Sequence, residues 1–386
     1  MTKWSEKTLV IGDLVARLPI IQGGMGVGVS LSGLASAVAN EGGIGVISAA
    51  AIGMDEPDFH TNYLEANNRA LRKEIRKARE LTNGILGVNI MAALSNYEDM
   101  VKTAIEEKID IIFVGAGLPL NLPSFLSSES HTKIVPIVSS ARAANIIIKK
   151  WNDRYKYIPD AIVVEGPGAG GHLGFSIEQI NDPVYALENI AKEVVNVVES
   201  YEQNIQKIIP VIAGGGIYTG EDIYNFFQLG VAGVQMGSRF VTTIECDASK
   251  EFKQAYINCK EEDMIIIKSP VGMPGRAIKN KFLDEVSANV KKPYSCPYHC
   301  IVTCDYKASP YCIALALTNA KKGKLSHGFA FAGANAYRAT EITSVHELIE
   351  ILQNEYDKMV SISNEAEEIK EEDMVKVKKL GYKIRN

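Results

Sequence analysis

Residues 163–175, VVEGPGAGGHLGF, set an imidazole and a carboxylate into unusually bare backbone, with five glycines in thirteen residues. Glycine loses more conformational freedom on folding than any other residue, so such density calls for a close approach to explain it. His172 follows a Gly–Gly pair just behind an apolar run. An imidazole there can exchange a proton or steady an anion. The competing reading is a buried structural histidine, and that is the expectation for His60, His131, His327 and His346.

Three further glycine-rich stretches behave alike. QGGMGVG (22–28), AGGG (213–216) and MGS (236–238) each follow an apolar run directly. Behind the last two, free backbone amides and a helix opening at Thr219 supply the parts of a phosphate site. Tight strand-to-helix turns without a ligand are the alternative. Neither a dinucleotide fingerprint in a strand–turn–helix setting nor a Walker A motif occurs.

A third group is CPYHCIVTCDYKASPYC, with Cys296, Cys300, Cys304 and Cys312 at intervals of 4, 4 and 8. On a helix the first three would share a face. Four thiolates can hold an iron–sulfur cluster or zinc, but the C-x₂-C pairs that mark such sites are missing. Reduced thiols in a packed lid helix are therefore expected, with no metal among the site residues. A metal centre and a redox disulfide stand as the alternatives.

Positioning these groups falls to eight short apolar runs, at 18–22, 45–48, 86–91, 109–114, 133–138, 161–165, 208–213 and 232–237. Each is apolar on both faces, as strands inside a parallel sheet must be. Helix-length patterns alternate with them. One runs from a Ser30 start to Gly42, one from Asp182 with Pro183 at its first turn, and one from Thr219, with Asp222 behind it, to Gly230. Right-handed strand–helix–strand units repeated eight times predict an α/β fold, a (β/α)8 TIM barrel, with an open doubly wound sheet still compatible. Residues 1–254 are read as the barrel. Residues 255–325 break the rhythm and are read as an insertion or lid with the cysteine cluster. Residues 326–386 are read as C-terminal helices completing the barrel, with Ser344 and Glu347 as a capping box and a charged amphipathic tail from about 365.

The 386 residues are 46% hydrophobic and 23% charged, with a net charge of −5. That balance argues against nucleic acid as a partner and leaves room for small anionic substrates. The start lacks the apolar core of a signal peptide, and no apolar run is long enough for a membrane span. A reducing cytoplasm is the expected location.

The motifs LPIIQGGMG, LGVNIM, EGPGAGGHLG, IPVIAGGGI and GVQMGSRF, in this order and spacing, resemble the nitronate monooxygenase (2-nitropropane dioxygenase) family. FMN-dependent enoyl-acyl-carrier-protein reductases are close relatives of that family. The resemblance covers about residues 10–245, and RAIKN (276–280) extends it. It implies an FMN-containing barrel. Gly23, Gly24 and Met25 would lie along the flavin ring, Asn89 would hydrogen-bond it, and Glu165 and Gly170 would also touch it. Gly216, Gln235, Met236, Gly237 and Ser238 would hold the ribityl phosphate. His172 matches the active-site histidine, expected at the flavin edge with a pKa near neutrality. Two departures bear on the substrate: Glu165 stands where many nitronate oxidisers have glutamine, and Gly168 replaces an acid before the Gly–Gly–His. The resemblance implies oxidation of alkyl nitronates with O₂ to a carbonyl compound and nitrite. Reduction of enoyl thioesters by NAD(P)H is the alternative, and a non-catalytic flavin or phosphate-binding barrel a third reading. The expected partner is a small molecule, with a homodimer left open.

Overall fold

The computed structural model describes residues 3–379, apart from residues 206, 291–295, 297 and 306. All eight apolar runs form parallel strands: β1 (Ile20–Gln22), β2 (Gly45–Ser48), β3 (Leu86–Met91), β4 (Ile111–Gly115), β5 (Lys133–Val138), β6 (Ile162–Glu165), β7 (Val211–Gly214) and β8 (Gly233–Met236). Neighbours in the sheet are neighbours in the chain, and β8 pairs with β1. The ring closes where Ile44 N donates to Ile20 O (2.9 Å) and Gln22 N to Ile44 O (3.0 Å). That closure excludes the open sheet: the fold is an eight-stranded TIM barrel.

A hairpin, Leu9–Ile11 paired with Leu14–Ala16, plugs the N-terminal end. Its turn passes through Gly12 at φ +61°, a conformation glycine adopts without strain. Leu9, Ile11 and Ala16 pack onto Ile21, Val46, Phe113, Val135, Val163 and Ile212, inward residues of the strands. The Phe113 ring lies over Gly87, where a Cβ would come within 2.6 Å of it. Large and small residues thus fill the interior together, as a packed barrel requires.

The helix ends show where local patterns decide and where they do not. Thr219 and Asp222 cap Gly220–Phe227 reciprocally, and Ser344 and Glu347 do the same at Val345–Lys379. Asp182 accepts from Val184 N (2.9 Å), but only a 3₁₀ turn, Pro183–Tyr185, follows before the helix proper, Leu187–Ile205. The helix expected from Ser30 begins at Ser32, as Ser32–Asn40. Ser30 Oγ instead accepts from Met25 N (2.8 Å), and the capping group is the distant Asp247, accepting from Leu31 N (2.7 Å), Gly33 N and Leu34 N (both 3.2 Å). The end of the charged tail, 380–386, lies outside the described residues.

The segment after β8 builds structure of its own. Strands β9 (Met264–Lys268) and β10 (Pro274–Ile278) form an antiparallel hairpin, and β10 also pairs with Gly171–His172. Beneath them Val271, Phe282, Tyr311, Ile313 and Phe329 make a separate apolar cluster. The helix expected across Cys296–Cys304 does not form. Ile301 bridges Leu94 instead, with Ser95 N donating to Cys300 O (3.1 Å) and Val302 N to Ala93 O (3.0 Å). These cross-chain bonds use amides and carbonyls that a helix would consume internally.

The long helix Val345–Lys379 lies on Gly220–Phe227 with almost no clearance. A Cβ on Gly220 would collide with Leu352 O and stand 2.5 Å from Tyr356 N. Trp4 closes the same corner, its amide donating to Asp357 Oδ1 (2.8 Å) and its ring set edge-on to Tyr356. Gly220→Ala is expected to cost about 3 kcal/mol by prising these helices apart. Chemical denaturation would show it as a lowered midpoint with an unchanged slope.

Candidate functional site

The strands' C-terminal ends open into a cavity of about 650 Å³, a size usual for a small molecule or cofactor. From β1 come Gly23, Gly24 and Met25, and from β3 Asn89. The end of β6 and its loop contribute Glu165, Gly170 and His172. Gly216 follows β7, and β8 with its following turn gives Gln235, Met236, Gly237 and Ser238. Every site residue named from the sequence therefore borders this one cavity.

The first rim loop is held from within the barrel wall. Gln22, fully buried, donates through Nε2 to Gly23 O (2.6 Å) and accepts from Val46 N (3.0 Å). Gly24 packs so tightly on Asn89 that a Cβ would overlap it. At the other side Ser238 Oγ accepts from Gly333 N (2.7 Å), and Asn335 Nδ2 donates to Gly216 O (2.5 Å). Two guanidinium groups lie over the Tyr218 ring, Arg239 at 4.6 Å and Arg338 at 4.8 Å from its centroid. These cations flank the β7 and β8 loops, the part of the rim suited to an anion.

The glycines of the β6 loop have a more specific reason than proximity to a ligand. A Cβ on Gly170 would stand 2.6 Å from Ala332 C, one on Gly174 2.5 Å from Ser139 Oγ, and one on Gly168 3.1 Å from Gly215 O. Most of the bare backbone is thus consumed by loop packing on loop. Gly171 and Gly216 differ. Both have positive φ, and added Cβ atoms would find nothing within 4 Å and only Gly168 Cα at 3.7 Å, respectively.

His172 sits on that loop under a cover drawn from far along the chain. Its Nε2 shares a 2.8 Å hydrogen bond with Ser269 Oγ, and its ring meets Phe331 edge-on at 5.0 Å. Burial pushes its pKa down to about 4, so the imidazole is neutral at physiological pH. This corrects the expectation of a near-neutral pKa: loss of water penalises the cation. The same desolvation acts oppositely on Glu165, raising its carboxyl to about 7. The site therefore holds an acid raised toward neutrality and an uncharged base.

Sequence reasoning missed the supports. Arg276 Nη2 donates to Pro167 O (2.7 Å) and its Nε to Ala169 O (3.3 Å), fixing the β6 loop. Phe331 O accepts from the Tyr256 hydroxyl, and Phe331 lines the cavity with Ala332 and Gly333. The run GFAFAGANA (328–336), with its alternating small residues, was the available signal for a close backbone approach.

Among the described residues, no helix is long and apolar enough to cross a membrane. A family model described as nitronate monooxygenase matches residues 7–355. A probable nitronate monooxygenase of Staphylococcus aureus (strain Newman) is 31% identical over 320 residues, covering 74% of this chain and 81% of that protein. FabK from Thermotoga maritima superposes with a TM-score of 0.69 at 26% identity, over 90% of this chain and 95% of that one. A nitroalkane oxidase from Streptomyces ansochromogenes has a TM-score of 0.68 at 22% identity, over 89% and 97%, a likeness of fold. With its barrel closed, its glycine-lined rim assembled and a family match spanning nearly the whole length, the chain belongs to the nitronate monooxygenase family of oxidoreductases.

Proposed function

We propose that this chain is an FMN-dependent enzyme that oxidises alkyl nitronates with O₂ to a carbonyl compound and nitrite. The observation that carries the reading is a neutral imidazole on the wall of a glycine-lined cavity at the barrel mouth. The cavity's own features suit the cofactor. Gly171 and Gly216 leave backbone open where a side chain would intrude, Asn89 and Gln235 offer amides, and Arg239 adds positive charge. Gly23, Gly24, Met25, Asn89, Glu165 and Gly170 would take the ring. Gly216, Gln235, Met236, Gly237 and Ser238 would take the ribityl phosphate. When bound, FMN supplies the two-electron chemistry that side chains lack.

The chain's own residues then do three things. Val271 N donates to Ser269 Oγ at 3.4 Å, and the serine hydroxyl can direct its own proton to His172 Nε2. A neutral imidazole accepting there carries its proton on Nδ1, a donor suited to an anionic nitronate oxygen. The ring is thereby oriented without becoming charged. Glu165, when protonated, adds no negative charge to repel that anion. Phe331 and the loop held by Arg276 keep water from the imidazole, which strengthens each of these contacts.

Reduction of enoyl thioesters by NAD(P)H is the second reading, favoured by Glu165 and by the FabK likeness. Anaerobic mixing separates the two. Propyl-2-nitronate is expected to bleach the visible absorbance rapidly, whereas NADH or NADPH alone leaves it. The reverse pattern would give the site to enoyl reduction, and a colourless purified protein would end both.

His172→Ala is expected to lower kcat/KM for nitronate by about 10²-fold or more. Ser269→Ala, which frees the ring but keeps it, should lose about tenfold. In Ser269→Ala, steady-state assays should show the loss mainly in kcat, as a positioning role requires.

The Glu165 carboxyl, at about 7, gives a pH dependence whose sign follows from charge. Below that value it is protonated and neutral; above it, a buried negative charge faces an anionic substrate. With preformed nitronate, wild-type kcat/KM should fall as pH rises through about 7. A Glu165→Gln variant should show a flat profile over the same range.

A further inference from the structure

Four of the six cysteines fall within residues 296–312, and they converge. Cys296, Cys300, Cys304 and Cys312 border one small cavity of about 20 Å³, with His299, Ile301, Tyr311 and Ile313. Each thiol lies within electrostatic reach of the other three. Cys300 feels Cys296, Cys304 and Cys312, while Cys312 feels Cys296 and Cys304, and Cys304 feels Cys296. None of the chain's cysteines is in a disulfide.

Regular secondary structure does not account for this meeting. Between the helices Lys281–Ser287 and Ile313–Lys321 the chain has no helix or strand among the described residues. Irregular connections of such length are uncommon in compact folds unless they carry a function. The loop is tied at isolated points: the Ile301 bridge, Thr303 Oγ1 donating to Val271 O (3.0 Å), and the Tyr298 ring against Phe59 and bonded to His60. Aliphatic side chains would fill an apolar gap equally well. Four cysteines around one void instead offer a complete set of soft ligands.

We propose that Cys296, Cys300, Cys304 and Cys312 jointly ligate a thiophilic metal centre, iron–sulfur or zinc, that staples this loop beside the main cavity. Cys300 and Ile301 border both cavities, so the staple would also fix part of the active-site wall. Among the described residues no three His, Cys, Asp or Glu side chains stand at the distances that clasp a single ion. Binding a single ion would therefore require the four thiols to close on it, a rearrangement coupled to ligation. Each thiol yields its proton to solvent and its sulfur donates an electron pair to the metal, with no net oxidation or reduction of the protein.

The test is metal, acid-labile sulfide and flavin analysis of the full chain purified anaerobically without chelators. The expected result is iron with an equal amount of sulfide, or about one zinc per chain. Either identifies the source and supports the site. Cys304→Ser, which does not touch the main cavity, should lower that metal at least about fivefold with flavin content retained, while Cys246→Ser keeps it. If Cys304→Ser fails to fold, the wild-type stoichiometry and its reconstitution with ferrous iron plus sulfide, or with zinc, decide alone. Less than about a tenth of a metal per chain after reconstitution, with all four thiols open to alkylation, overturns the proposal. So does metal that persists in Cys304→Ser.

Discussion

Everything at the barrel mouth depends on a short piece of backbone pairing. Gly171–His172 is too short to be a strand by itself, yet it pairs with β10, His172 opposite Gly275 and Gly171 opposite Arg276. A Cβ on Gly275 would stand 2.8 Å from the Phe331 ring, so the strand, the ring and the histidine loop can meet only with glycine at that position. Arg276, in the same strand, grips the loop from behind through two carbonyls. This contact removes water from the imidazole, and the removal of water makes it neutral. The later segment is thus part of the site rather than an attachment to it.

Desolvation has opposite consequences for two groups sharing one cavity. It favours the uncharged forms of His172 and Glu165, whose ordinary values lie on opposite sides of theirs here. The proposed anionic substrate would gain from both shifts, since the cation is replaced by an oriented dipole and the carboxylate by a neutral acid. The fixed positive charges, Arg239 and Arg338, lie over Tyr218 beside the β7 and β8 loops. Charge and neutrality are separated along the cavity.

The barrel was legible because its signal is local. Runs buried on both faces need no partner to be recognised, and all eight became strands. Rim residues followed, since strand ends place whatever comes next at the mouth. Closure of the ring was not local, because it rests on bonds between Gln22, Ile44 and Ile20. The surroundings of His172 were not local either: Ser269 is 97 residues away, and Phe331 further still. The same limit explains the helix caps. Thr219 with Asp222 could be read in four residues, whereas Asp247 caps a helix more than 200 residues before it.

Glycine density near a histidine can be read two ways, and the structure separates them position by position. Where an added Cβ would strike backbone, as at Gly170, glycine serves the joining of loops, and substitution would deform the rim itself. Where it would meet open space, as at Gly171, the constraint is the left-handed backbone that turns the chain toward β10. A bulky residue at the first kind of position damages the fold before it touches a ligand. At the second kind it strains the histidine's own backbone and reaches into the cavity while leaving the neighbouring walls in place. The two outcomes can be told apart in a single protein, because one loses stability and cofactor together and the other loses turnover first.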